Sequence, residues 1–77
     1  MPEMSFVYSS HVVSWGYDGD THEFHVRFGP TLAHPGGRTA VYQGVPPDKA
    51  EQIMASPSPG QAVRAALRNQ HPFRYAE

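Results

Sequence analysis

The chain has 77 residues, with six Lys plus Arg against seven Asp plus Glu, five His and no Cys, for a formal net charge of -1. That length allows one domain with a radius of gyration of roughly 11–12 Å, and the missing thiols exclude disulfides and thiolate zinc sites. The balanced charge excludes a global field that would steer the protein toward nucleic acid or membranes, so any anion site must be local.

The opening MPEMSFVYSS has no basic stretch followed by a long apolar run, and no window approaches the ~18 apolar residues of a membrane span. A soluble, cytoplasmic protein with no membrane partner is expected. At about 0.05–0.15 kcal/mol per residue the total stability is roughly 4–12 kcal/mol. Without a disulfide or metal staple, packing or self-association must supply the reinforcement, and a homo-oligomer is expected.

In chain order, HVVSWGY (11–17) is an extended run whose apolar positions change phase: Val12 has one parity, and Val13, Trp15 and Tyr17 the other. A β-bulge near Val13 and Ser14 reconciles them. The DGDT that follows contains an Asp-Gly pair that favours a tight hairpin turn. In HEFHVRF (22–28), Phe24, Val26 and Phe28 alternate with Glu23, His25 and Arg27, the pattern of a half-buried strand with its apolar set on a core and its polar set facing outward. GPTLAHPGG (29–37) is a loop and RTAVYQG (38–44) a third extended run.

Pro46 and Pro47 then end strand pairing and preset a helix. Asp48 sits in its first turn, where a negative charge suits the helix dipole. Ala50, Ile53 and Met54 form its apolar face, and Pro57 ends it. Ser58 with Gln61 fits a capping box, and Pro59 opens a second helix with Ala62, Val63, Ala66 and Leu67 inward and Arg64 and Arg68 outward, closed by His71 and Pro72. The expected fold is α+β: a three-stranded antiparallel meander followed by two short helices packed on one face.

The order of these motifs resembles the KTSC domain family, named for its similarity to a C-terminal region of some lysyl-tRNA synthetases and found as small bacterial or phage domains. The resemblance runs from Ser9 to about Tyr75 and is carried by SSHVVSWGYD (9–18), FHVRF (24–28), VYQGVP (41–46), ASPSPG (55–60) and ALRNQHPF (66–73). It implies that residues 1–77 are a single KTSC-like domain, and that its ligand is RNA or a nucleotide. The loop 29–37 is longer than the hairpin usual in the family, Ala40 replaces an aromatic, and His71 stands where an aromatic is common.

Five His invite a metal reading, but His22 and His25 point to opposite faces of a strand and cannot chelate one ion. No phosphate-binding Gly motif, nucleophile elbow or spaced carboxylate pair is present, so neither an enzyme nor a cofactor is expected. Trp15 and Tyr17 are most economically core, whereas Tyr42, opposite in parity to Val41, is the expected exposed aromatic for stacking on a base.

The segment Ser58 to Gly60 is a rigid helix connection. It also offers free backbone N–H groups at a helix N-terminus, with Gly60 allowing close approach of a phosphate and Arg64 and Arg68 supplying guanidinium forks. The expected ligand-binding residues are therefore Tyr42, Ser58, Gly60, Arg64 and Arg68, on a non-enzymatic module for a nucleotide-derived small molecule or single-stranded RNA. The alternative is a protein-interaction or self-assembly module anchored by Leu32 on the long loop.

Overall fold

A computed structural model describes residues 4–7, 12–68 and 70–76. The chain runs β1 (Ser5–Phe6), β2 (Val12–Asp18), β3 (Glu23–Phe28), β4 (Arg38–Tyr42), α1 (Pro47–Met54), α2 (Pro59–Ala66) and β5 (Phe73–Ala76). All strand pairs are antiparallel, in the spatial order β1-β2-β3-β4-β5. The class is the expected α+β, but the sheet has five strands rather than three, and the helices are inserted before the last of them. Both additional strands are short edge strands, and neither contains enough residues to show a period of two unaided. The radius of gyration is 11.4 Å.

The helices cover one sheet face. Trp15, Phe24, Val26, Ala40 and Tyr42 from the strands meet Ala50, Ile53, Val63 and Leu67 from the helical side in one buried cluster. Phe24 is central, with Trp15 edge-on at 5.8 Å and Tyr17 tilted at 6.1 Å between ring centroids. The pairing register shifts between Val12 and Ser14, so one extra residue lets Val12 and Trp15 share the core face despite their odd spacing.

Several local expectations change. The β2–β3 connection is a four-residue loop closed by the Asp18 and Glu23 pair, with His22 at φ 60°, rather than a tight two-residue turn. Asp18 explains it: its Oδ1 accepts the N–H groups of Asp20 (3.0 Å) and Thr21 (3.4 Å), which makes the aspartate itself a turn former. These bonds hold the Asp18 carboxyl below its ordinary value. In α1, Ala50 and Ile53 are buried but Met54 is 40% exposed, because the helix contacts the sheet along a narrower stripe than the apolar residues define.

Hydrogen bonds aim the helices. Val45 is pinned from both sides: its N–H donates to His22 O (2.9 Å), and its carbonyl accepts from the Tyr17 hydroxyl (2.5 Å). Gln43 N–H donates to Pro72 O (2.8 Å), and the His71 ring lies with Nδ1 3.1 Å from Gln43 O and Nε2 2.7 Å from Lys49 Nζ. Nδ1–H therefore donates to the carbonyl while Nε2 accepts from the lysine, which ties the start of β5 to α1 and the end of β4. The polar ring at position 71 thus has a bracing role that a phenylalanine could not fill.

His25 takes the face turned away from the helices, as the alternation predicts, but there it is buried, at 6% exposure, beside Ser14, Thr39 and Val41 rather than open to water. Among the described residues neither ring nitrogen has a hydrogen-bond partner. Glu23 Oε1 stands 3.9 Å from Nε2 and instead accepts from the Thr21 hydroxyl, while Oε2 receives Arg74 at 3.4 Å. Burial pushes the imidazole below its ordinary 6.5, with Arg74 adding to the effect and Glu23 opposing it. The unfolded chain therefore takes up a proton before the folded one does, so stability is constant above about pH 6.5 and falls as the pH drops toward the depressed native value. Thermal melts between pH 7.5 and 5.5 should show this loss, and His25→Gln should flatten it; an unchanged slope would place the titration elsewhere.

Candidate functional site

The five sequence-predicted site residues do not all converge. Gly60, Arg64 and Arg68 recur every four residues, so they form one stripe along α2 and the turn after it. Beyond the C-cap Leu67 that turn is maintained, with Arg68 N–H donating to Val63 O at 3.1 Å. The stripe overlooks β5, whose Phe73 and Tyr75 pair across from Tyr42 and Ala40 and therefore point to the helix side of the sheet. Because β5 is an edge strand, its inner-face aromatics are incompletely covered, at 49% and 41% exposure.

Between the stripe and the strand lies a concave hollow of about 450 Å³. Gly60, Arg64 and Arg68 form one wall, Phe73 and Tyr75 the other, and Tyr42, Phe28, Val63 and Val12 complete the lining. Four of the five predicted residues thus meet in one place. Among the described residues neither Arg64 nor Arg68 is held in an ion pair.

Two details are corrected. Ser58 is the N-cap of α2 but makes no side-chain capping bond, and it does not line the hollow. Its N–H instead donates to Ser56 Oγ at 3.2 Å, a Ser-Pro-Ser turn that replaces the capping box. Tyr42 is not an exposed aromatic: at 5% exposure it belongs to the core, with its ring 5.5 Å from Phe73. Burial raises the Tyr42 hydroxyl above its ordinary value, helped by Tyr75 and opposed by the nearby Arg68 guanidinium.

The exposed aromatics of the hollow are Phe73 and Tyr75, which stand edge-on at 5.3 Å. Sequence reasoning missed both as site residues. The alternation in FRYA was the available signal, but it spans only four residues and acquires meaning only through its pairing with β4.

The KTSC domain family model matches residues 8–71, most of the chain. Among solved structures, the crystal structure of a KTSC domain protein from Yersinia pestis is similar at a TM-score of 0.85 over 100% of both chains, with 23% sequence identity. No curated protein gives a significant match. The likeness to the Yersinia pestis protein extends over the whole five-stranded, two-helix arrangement and concerns the fold. With the family match spanning β2 to β4 and both helices, this chain belongs to the KTSC domain family.

Proposed function

We propose that the protein is a small non-enzymatic binding module for a nucleotide-derived anion, held in the hollow between α2 and β5. The observation that carries this reading is the convergence of two guanidiniums, without acidic partners among the described residues, and two half-exposed aromatic rings on one cavity of about 450 Å³. That volume falls within the roughly 300–1,000 Å³ of small-molecule sites. Guanidinium forks match phosphate oxygens, and a base gains about 1–3 kcal/mol by stacking on an aromatic side chain. Phe73 and Tyr75 take the stacking role assigned from sequence to Tyr42, which supports them from below.

A discrete hollow on a protein of net charge -1 favours a small ligand over an extended strand of RNA, which draws on a long basic groove. The test is calorimetric titration of the wild type and the Arg64→Ala, Arg68→Ala double variant with nucleoside mono- and diphosphates and short single-stranded RNAs. The wild type should bind the nucleotides, and the double variant should bind them at least tenfold more weakly, with its thermal melt unchanged because both side chains are exposed. Tighter binding that grows with RNA length would transfer the site to single strands. If no ligand binds, the interaction-module reading takes over, with Leu32 fully exposed on the long loop as its anchor.

A further inference from the structure

The hollow has a smaller neighbour. Phe28 and Tyr75 also line a recess of about 180 Å³, bounded further by Gly29, Thr31, His34 and Arg38. Arg38 is held there rigidly: its guanidinium carbon sits 3.3 Å from the centroid of the Tyr75 ring, and Nη1 donates to His34 Nε2 at 2.9 Å. A guanidinium has five N–H donors, and among the described residues most of these have no partner. Among the described residues, no carboxylate pairs with it.

The other arginines on the sheet are engaged differently. Arg27 donates to Gly36 O at 2.7 Å and reaches Thr39 Oγ1 at 3.5 Å, and Arg74 pairs with Glu23. Arg38 alone of these three is fixed in place by an aromatic face while opening onto a recess. Among the described residues no Asp or Glu lines either hollow, although the protein carries an excess of acidic side chains. The acids among the described residues lie in and beside the β2–β3 loop (Asp18, Asp20, Glu23) and on α1 (Asp48, Glu51). Arg38, Arg64 and Arg68, which pair with no carboxylate among the described residues, are therefore gathered around a single aromatic wall.

We propose that the two hollows form one groove, partitioned by Tyr75, for a nucleotide with two separate phosphates: one held by Arg64 and Arg68, the other by Arg38 with His34. This rests on the nucleotide reading above and adds the ligand class to it. The larger hollow has the volume of a whole-ligand site, whereas 180 Å³ is below that range and suits a terminal group. Stacking on Tyr75 fixes the Arg38 guanidinium before a ligand arrives, which reduces the ordering cost of a charge-assisted pair. Two sources share this chemistry, a nucleoside 3′,5′-bisphosphate and a dinucleotide with a 5′-phosphate.

The experiment compares an adenosine and a guanosine series of 5′-monophosphate, 3′,5′-bisphosphate and 5′-phosphorylated dinucleotide by calorimetry, on the wild type and on Arg38→Met. The wild type should bind at least one two-phosphate ligand about tenfold or more tighter than the matching monophosphate, and the larger gain identifies the source. In Arg38→Met that advantage should vanish while monophosphate affinity stays the same. A second measurement needs no variant: affinity for the two-phosphate ligand should fall more steeply with added salt. If the monophosphate binds but a second phosphate adds neither affinity nor salt dependence, the groove proposal is overturned and the single-hollow reading survives. If nothing in either series binds, both fall.

Discussion

Replacing Phe24 by alanine is expected to lower the unfolding free energy by about 3–5 kcal/mol, a large part of the roughly 4–12 kcal/mol available to a domain of this size. Phe24 has no exposed surface, lies on the middle strand of five, and packs against both Trp15 and Tyr17. Its removal leaves a cavity where neighbours cannot close in, because backbone ladders on both sides hold β2 and β4 in register. Phe28, four residues on, faces the same way but is only half-buried at the edge of the hollow. Phe28→Ala should accordingly cost much less. Urea denaturation of the two variants checks the difference, and equal losses would contradict the placement of the core around Phe24.

A second large effect is expected at Gly37. Its φ of 77° lies in the left-handed region, and a Cβ there would sit 2.6 Å from the carbonyl oxygen of Phe28. Gly37→Ala thus combines a left-handed backbone penalty of about 1–2 kcal/mol with a clash against backbone that cannot rotate away. Gly44 supplies the control. It has φ 70°, but a Cβ there would meet nothing within 4 Å, so Gly44→Ala should carry the conformational penalty alone. Gly37→Ala should therefore melt at a lower temperature than Gly44→Ala; if the two coincide, the loop relaxes around the new methyl group. Displacing the Phe28 carbonyl would also move the chain that lines both hollows, so on the proposed function nucleotide affinity should fall in the Gly37 variant and not in the Gly44 variant.

The sequence by itself determined the parts of this protein in which neighbouring residues decide the conformation. The alternation from Phe24 to Phe28, the phase change corrected by a bulge at Val13, and the prolines that start α1 and α2 are short-range signals, and each holds in the structure. The stripe Gly60, Arg64 and Arg68 was legible for the same reason, since a spacing of four on a helix places residues on one face whatever surrounds them. Family membership was also legible, because it rests on the order of motifs along the chain.

What only the tertiary structure decided depends on residues far apart in sequence. Phe73–Ala76 becomes a strand because β4 offers it an open edge thirty-odd residues upstream, and that pairing turns Phe73 and Tyr75 toward α2 while placing Tyr42 beneath them. Parity alone indicates which face a side chain takes but not whether that face is covered, so Tyr42, expected to be exposed, and His25, expected on the outward face, are both buried. Arg38 gave no local sign of a role, since its partner ring at Tyr75 arrives only when the last strand closes the sheet. Local periodicity encodes the direction of a side chain; long-range packing decides what it meets there.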